Sequence, residues 1–184
     1  MPEQQRCFVG IDPGLSGAIV QLYTNGDSPV DIKIRRIPVT KKGKSTSVDL
    51  ALLNDICHYL STIQCPVKVI LEDVRSARLA GEGKKAIWSL AYQTGLIEMA
   101  LTIHGLDYEM ITPQKWQKVA WLGIDPEGEI NEKGKFKCDT KATSVKAMQE
   151  KFPGYAFRDG KQKIDQNGVT DALGMALYGS IKIN

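Results

Sequence analysis

CFVGIDPGLSGAIVQLYTNGD, residues 7–27, decides the fold. Cys7–Ile11 is an apolar run of strand length, and it stops on Asp12-Pro13-Gly14, where the chain must turn. A second run, Gly17–Tyr23, leads into the hairpin signal Asn25-Gly26-Asp27, and a third strand is expected over Val30–Ile37. The spacing predicts an antiparallel meander. Asp12 ends its first strand, so its carboxylate is presented at the edge of a sheet rather than inside it.

Beyond the meander, Ser47 or Asp49 opens a helix in which Leu53, Ile56, Cys57, Leu60 and Ile63 recur at helical spacing, stopping before Pro66. Val67–Glu72 is a short apolar strand ending in an acid. A long helix follows from about Lys85 to His104, then a strand over Tyr108–Ile111. Further helices open at Pro113 and after Asp139, and the last covers Gly168–Ile181. This order predicts an α/β fold, a mixed sheet with helices on its faces. DPEGEINEKGKFKC, Asp125–Cys138, is charged and glycine-punctuated, an exposed excursion between two helices.

Composition narrows the function classes. With 42% hydrophobic and 24% charged residues, the 184 residues suit one core, a single domain over 1–184. No apolar run approaches bilayer length, and MPEQQRCFVG lacks the basic-then-apolar pattern of a secretion signal, so a cytoplasmic location is expected. Cys7, Cys57, Cys65 and Cys138 lie far apart with no C-x-x-C pair, which reads as reduced thiols rather than a zinc site. The net charge is only +3, but the cations fall in patches: Lys41, Lys42 and Lys44; Arg75, Arg78, Lys84 and Lys85; Lys133, Lys135, Lys137 and Lys141. A single patch reads as a solvated loop. Three, two of them beside candidate acids, favour a polyanionic partner.

The candidate acids are Asp12, Glu72 and Asp171. Glu72 ends the strand run Val69-Ile70-Leu71, so in a shared sheet it lies beside Asp12. Asp171 sits in GVTDALGMALYG, bordering the buried stripe of Val169, Ala172, Leu173, Ala176 and Leu177. Taken singly, Asp12 reads as a turn residue and Glu72 as a solvated strand end. Gathered at one end of a sheet the three would repel, and divalent cations would relieve that repulsion. Oxygen ligands without a histidine or cysteine cluster point to Mg²⁺ or Mn²⁺, and paired ions of this kind serve phosphodiester cleavage.

GIDPGLSGAI, LEDVRS, TPQKWQKVAWLG, DTKATSVKAMQEKFP and GVTDALGMALYG, in that order over most of the chain, resemble the successive motifs of RuvC-like Holliday junction resolvases. The resemblance implies an RNase H-like fold, a mixed five-stranded sheet flanked by helices. It implies a homodimer that resolves four-way DNA junctions by paired nicks, using four acids and two Mg²⁺ ions per site. Compactness and the absence of a targeting segment point to a bacterial or bacteriophage source, and so to the cytoplasm of a bacterial host if the protein is phage-encoded. By motif match, Asp12, Glu72 and Asp171 are three of the four acids.

The fourth acid departs from the pattern. Where many relatives carry an acid three or four residues before the last catalytic Asp, this chain has Gly168 and Asn167. Asp165, further upstream, is the favoured substitute, and Asn167 is the alternative as a neutral carbonyl ligand, since i and i+4 share a helix face. Lys118 and Lys141 match family positions where lysines contact phosphate near the scissile bond. Lys115, Arg75, Arg78, Lys84 and Lys85 complete the expected DNA contacts. In the family the loop containing residues 75–85 enters the junction, often with an aromatic wedge; here Leu79 is its only large apolar side chain. Trp116 and Trp121 read as core.

The long helix is apolar on two sides, Leu90, Ile97 and Leu101 on one and Ala91, Tyr92, Gly95 and Met99 on the other. One stripe suits the sheet. The other suits a second subunit docked through Ala86–His104. Competing readings are a flap, fork or RNA–DNA hybrid nuclease on the same scaffold, and a junction-binding protein with impaired catalysis. A sugar-kinase-like phosphotransferase also has an Asp followed by glycines in its first hairpin, but needs two lobes, for which 184 residues are too few.

Overall fold

The computed structural model describes residues 5–43, 45–74, 83–155 and 166–183. Its five-stranded sheet runs in the order β3-β2-β1-β6-β7. The meander is β1 (Gln5–Ile11), β2 (Ala18–Asn25) and β3 (Ser28–Arg36), each antiparallel to the last. β6 (Val67–Glu72) and β7 (Tyr108–Ile111) continue the sheet parallel to β1. This is the mixed α/β arrangement that the order of apolar runs predicts.

CFVGI is continuously apolar, rather than alternating, because β1 is covered on both faces. Cys7, Val9 and Ile11 share one core with Ile19, Val69 and Leu71, under α1 (Leu50–Ser61) and α2 (Lys84–Ile103). Phe8 shares the opposite core with Val20, Leu22 and Ile70, under α3 (Pro113–Ala120), α4 (Thr140–Lys151) and α5 (Gln166–Lys182). Asp49 caps α1, accepting a hydrogen bond from Leu52 N at 3.2 Å. Gly10 gives α5 its seat on β1: a Cβ there would stand 1.8 Å from the Ala172 carbonyl oxygen and 2.7 Å from Ala176 N. No larger residue fits without moving the helix.

α4 lies beside α5, and its direction matters for the site. Lys151 and Phe152, at its C-terminal end, share a cleft with Asp27, Pro29, Leu177 and Ile181, at the β2–β3 turn. Twelve helical residues span about 18 Å, so the N-terminus of α4 lies toward the other end of the sheet, where β1 and β6 finish.

Two short hairpins add to the expected elements. β4 (Val39–Lys42) pairs with β5 (Ser45–Val48) across Gly43, whose φ is 60°. The segment expected as an exposed excursion is exposed, and it is built as a hairpin of β8 (Gly128–Ile130) and β9 (Phe136–Cys138). The hairpin has a local cause: Asn131 Oδ1 accepts from both Lys133 N and Lys135 N at 3.0 Å, and Gly134 takes a φ of 72° that closes the turn. The four cysteines are free, Cys7 and Cys57 buried. No helix among the described residues is long and apolar enough to cross a membrane.

Candidate active site

Strand parity assembles the site. Ile11 pairs with Leu71 in the parallel β1–β6 register, so Asp12 and Glu72 follow side by side. Asp12 N still donates to Ala18 O at 3.0 Å, which keeps it in the strand direction. Since Ile11 and Leu71 point to the α1–α2 core, the next residue on each strand turns to the α5 face. Asp171 comes from the first turns of α5, which Gly10 holds against the sheet, and its Oδ1 is buried.

Each acid is oriented by a neighbour. Asp12 Oδ1 accepts from Gly14 N at 3.1 Å, which closes the Asp-Pro-Gly turn. Arg36 Nη1 donates to Ser16 O at 2.8 Å and pins the same loop. Glu72 Oε1 accepts from Trp116 Nε1 at 3.3 Å. Burial first, and then the charges of Asp12 and Asp171, together push the Glu72 carboxyl up to about 8 against the opposing Trp116 bond. The three acids are therefore electrostatically coupled.

Among the described residues, no group of three or more His, Cys, Asp or Glu side chains stands close enough to hold one ion between them. The donor set still fits a hard divalent cation. It is all carboxylate, and Mg²⁺ is commonly bound by one or two carboxylates, with water and substrate phosphate filling the rest of its shell. Asp12, Glu72 and Asp171 are the residues able to serve it. Asp165 lies outside the described residues, as does the side chain of Asn167. At position 168 a Cβ would stand 2.7 Å from Ser16 O, 2.9 Å from Gly17 Cα and 3.0 Å from Asp12 Oδ2. The first turn of α5 thus rests on the Asp12 loop, and an acid at 168 has no room without displacing it.

The lysines are distributed unevenly. Lys141 is exposed in the first turn of α4, at the carboxylate end. Lys118 is exposed on α3, about 200° around the helix from Trp116, and so is turned from the Glu72 contact. Lys115 pairs with Glu109 at 3.1 Å and lies 5.6 Å from the Tyr178 ring, and both neighbours favour its charged form. Arg75, Arg78 and Leu79 lie outside the described residues, as do the side chains of Lys84 and Lys85. Sequence reading assigned Trp116 to the core and missed its bond to Glu72. The available signal was that a buried indole N–H needs an acceptor.

No protein-family model and no curated protein matches the chain. Solved structures do match. A structure of RuvC from Thermus thermophilus in complex with Holliday junction substrate superposes with a TM-score of 0.58, covering 98% of this chain and 94% of that one at 11% identity. The fold is RuvC-like. A second Thermus thermophilus RuvC structure gives a TM-score of 0.57 over 97% of this chain and 95% of its own, again at 11% identity. At that identity the likeness to RuvC concerns the path of the chain, which is shared from end to end.

Proposed function

We propose that this protein is a structure-selective endodeoxyribonuclease that resolves four-way DNA junctions by paired, Mg²⁺-dependent nicks. The observation that carries the reading is the meeting of Asp12, Glu72 and Asp171 at one sheet end of a RuvC-like fold. Two Mg²⁺ ions, or Mn²⁺ in their place, held by these acids with Asp165 or Asn167 as a fourth ligand, would supply an activated water and charge stabilisation at the leaving oxygen.

The chain's own residues do the positioning. Gly14 N and Trp116 Nε1 fix the carboxylates of Asp12 and Glu72, so that little reorganisation is left for the reaction. Lys141 offers a cation to the phosphate backbone at the same end, which orients the strand without reading its sequence. Paired nicks need two sites. The exposed side chains Trp88, Tyr92, Met99 and Ile103 recur at helical spacing along α2, with Trp88 68% exposed and its ring stacked 5.3 Å from that of Tyr92. This stripe supports a homodimer through α2. The RuvC complex with Holliday junction substrate supports branched DNA as the partner, and with it a cytoplasmic location.

Incubation with a labelled four-way junction, with Mg²⁺ or with EDTA, tests the reading. Flap, fork, RNA–DNA hybrid and linear duplex substrates run beside it. Symmetric nicks on the junction, only with metal, are expected. Faster cleavage of flaps, forks or hybrids would move the substrate class, junction binding without nicking would leave a binding protein, and no binding to any DNA would overturn the reading.

A further inference from the structure

The β8–β9 hairpin is anchored at both ends. At its base Asp139 N donates to Glu127 O at 2.7 Å, Glu127 N donates to Thr143 Oγ1 at 3.0 Å, and Lys146 pairs with Glu127 at 2.8 Å. At its tip Asn131 and Gly134 fix the turn. Yet this ordered finger shows its apolar residues to solvent. Ile130 and Phe136 are cross-strand partners on one face, 73% and 53% exposed. The Phe136 ring lies over Gly128, where a Cβ would stand 2.7 Å from its Cζ, so the ring is laid along the hairpin surface.

Charge and position indicate what this face meets. Lys133 lies in the turn beyond the pair, and Lys135 and Lys137 flank Phe136 along the chain with their side chains toward the other face of the hairpin, all three exposed. The acids at the base are engaged, Glu127 by Lys146 and Asp139 as the cap of α4, which leaves Glu129 and Glu132 against three cations. The hairpin joins α4 at its N-terminus, beside Lys141, toward the sheet end that carries Asp12 and Glu72. A hairpin with an aromatic side chain on one face and ammonium groups at its turn and on its other face fits an unstacked base with phosphates running past it.

We propose that the β8–β9 hairpin packs its Ile130–Phe136 face against unpaired bases at a DNA branch point, with Lys133 at its turn and Lys135 on its other face taking the phosphates that pass the tip. The inference rests on the reading of the protein as a branched-DNA enzyme, and it names the element that senses the branch. The test compares the full-length protein with the variants Phe136→Ala and Ile130→Ser/Phe136→Ala. The probes are a four-way junction with 2-aminopurine at its centre, a single strand of the same sequence, and a linear duplex, all in EDTA; nicking of the junction in Mg²⁺ is measured separately.

Because both side chains are exposed, the variants should melt within about 2 °C of the parent. They should bind the junction and the single strand roughly five- to a hundredfold more weakly, leave duplex binding unchanged and lose the 2-aminopurine signal. Unchanged junction affinity and signal would overturn the hairpin proposal while leaving the nuclease reading intact. A parent that shows these losses on substitution but never nicks would uphold the hairpin and overturn the nuclease. A parent that binds none of the probes would overturn both. A fall in oligomeric mass with DNA affinity unaltered would identify the face as a protein contact and overturn the proposal.

Discussion

At the scale of single residues, the three acids have separable signatures. Asp12→Asn, Glu72→Gln and Asp171→Asn should each lower cleavage by more than about a hundredfold, since losing a ligand costs more than losing its support, while junction binding persists on the untouched basic surface. Wild-type nicking by any one of them at saturating Mg²⁺ would remove that residue from the site. Glu72 adds a pH dependence. Its folded pKa of about 8 lies above its ordinary 4.5, so its contribution to stability is full below about 4.5 and is lost as pH rises through 8. Without metal, the melting temperature should therefore fall across that window. Glu72→Gln should flatten the slope and raise the melting temperature at its alkaline end, and Mg²⁺ should do the same for the parent by compensating the ionised carboxylate. Thermal denaturation in EDTA and in Mg²⁺ decides this, and an identical slope in Glu72→Gln would assign the pH effect elsewhere.

At the scale of elements, the opening turn of α5 holds the question of the fourth ligand. Position 168 is pressed on Ser16 and Asp12, so the candidates for the fourth ligand are the two that the sequence offers upstream of it, Asp165 and Asn167. If Asp165 coordinates, Asp165→Asn should raise the Mg²⁺ concentration for half-maximal nicking by about ten- to a hundredfold, with little change in Asn167→Ala. If Asn167 coordinates, the ranking reverses and Asn167→Asp tightens the metal. No shift in any of the three leaves a site of three protein ligands. The lysines separate likewise: Lys141→Ala should reduce both cleavage and the salt slope of binding by about one phosphate's worth, and Lys118→Ala less, because it faces away from Trp116. Binding titrations over a salt series measure both, and equal slopes for the two variants would sink the ranking. Much of this framework was legible in the sequence. Long apolar runs ending in acids placed Asp12 and Glu72 at strand ends, and the stripe beside Asp171 placed α5. What escaped was set by tertiary approach or by very short range. Gly168 reads as a missing acid in the sequence, and in the fold it is where the first turn of α5 rests on Asp12. Lys115, expected as a DNA contact, has Glu109 of β7 beside it. The two hairpins hid because strands of three or four residues show too little alternation, although Asn131 and Gly134 marked a turn.

At the scale of the whole molecule, the proposed function requires two copies to face one junction. Ile97 and Leu101 are buried against the sheet side, as expected of one stripe of α2, and the other stripe remains outside. Gly95 lies in that outer stripe, where a Cβ would meet nothing within 4 Å, so its smallness does not serve packing within the chain and leaves room for a partner helix. If two copies meet there, the protein in solution should have twice its mass of 20.3 kDa by light scattering. Tyr92→Asp and Met99→Glu place charge in the contact but sit on an exposed face of the single chain, so each should keep the helix content and give the single mass. The consequence for catalysis follows from geometry. A dimer cuts two strands within one encounter and converts a cruciform plasmid to a linear product, whereas a monomer releases a nicked circle before a second copy arrives. The variants should therefore accumulate nicked circles while retaining the first cut. Linear product from a variant shown to be monomeric would mean that pairing of cuts does not depend on this face. A parent protein that is monomeric in solution and on DNA would leave the α2 stripe to another partner.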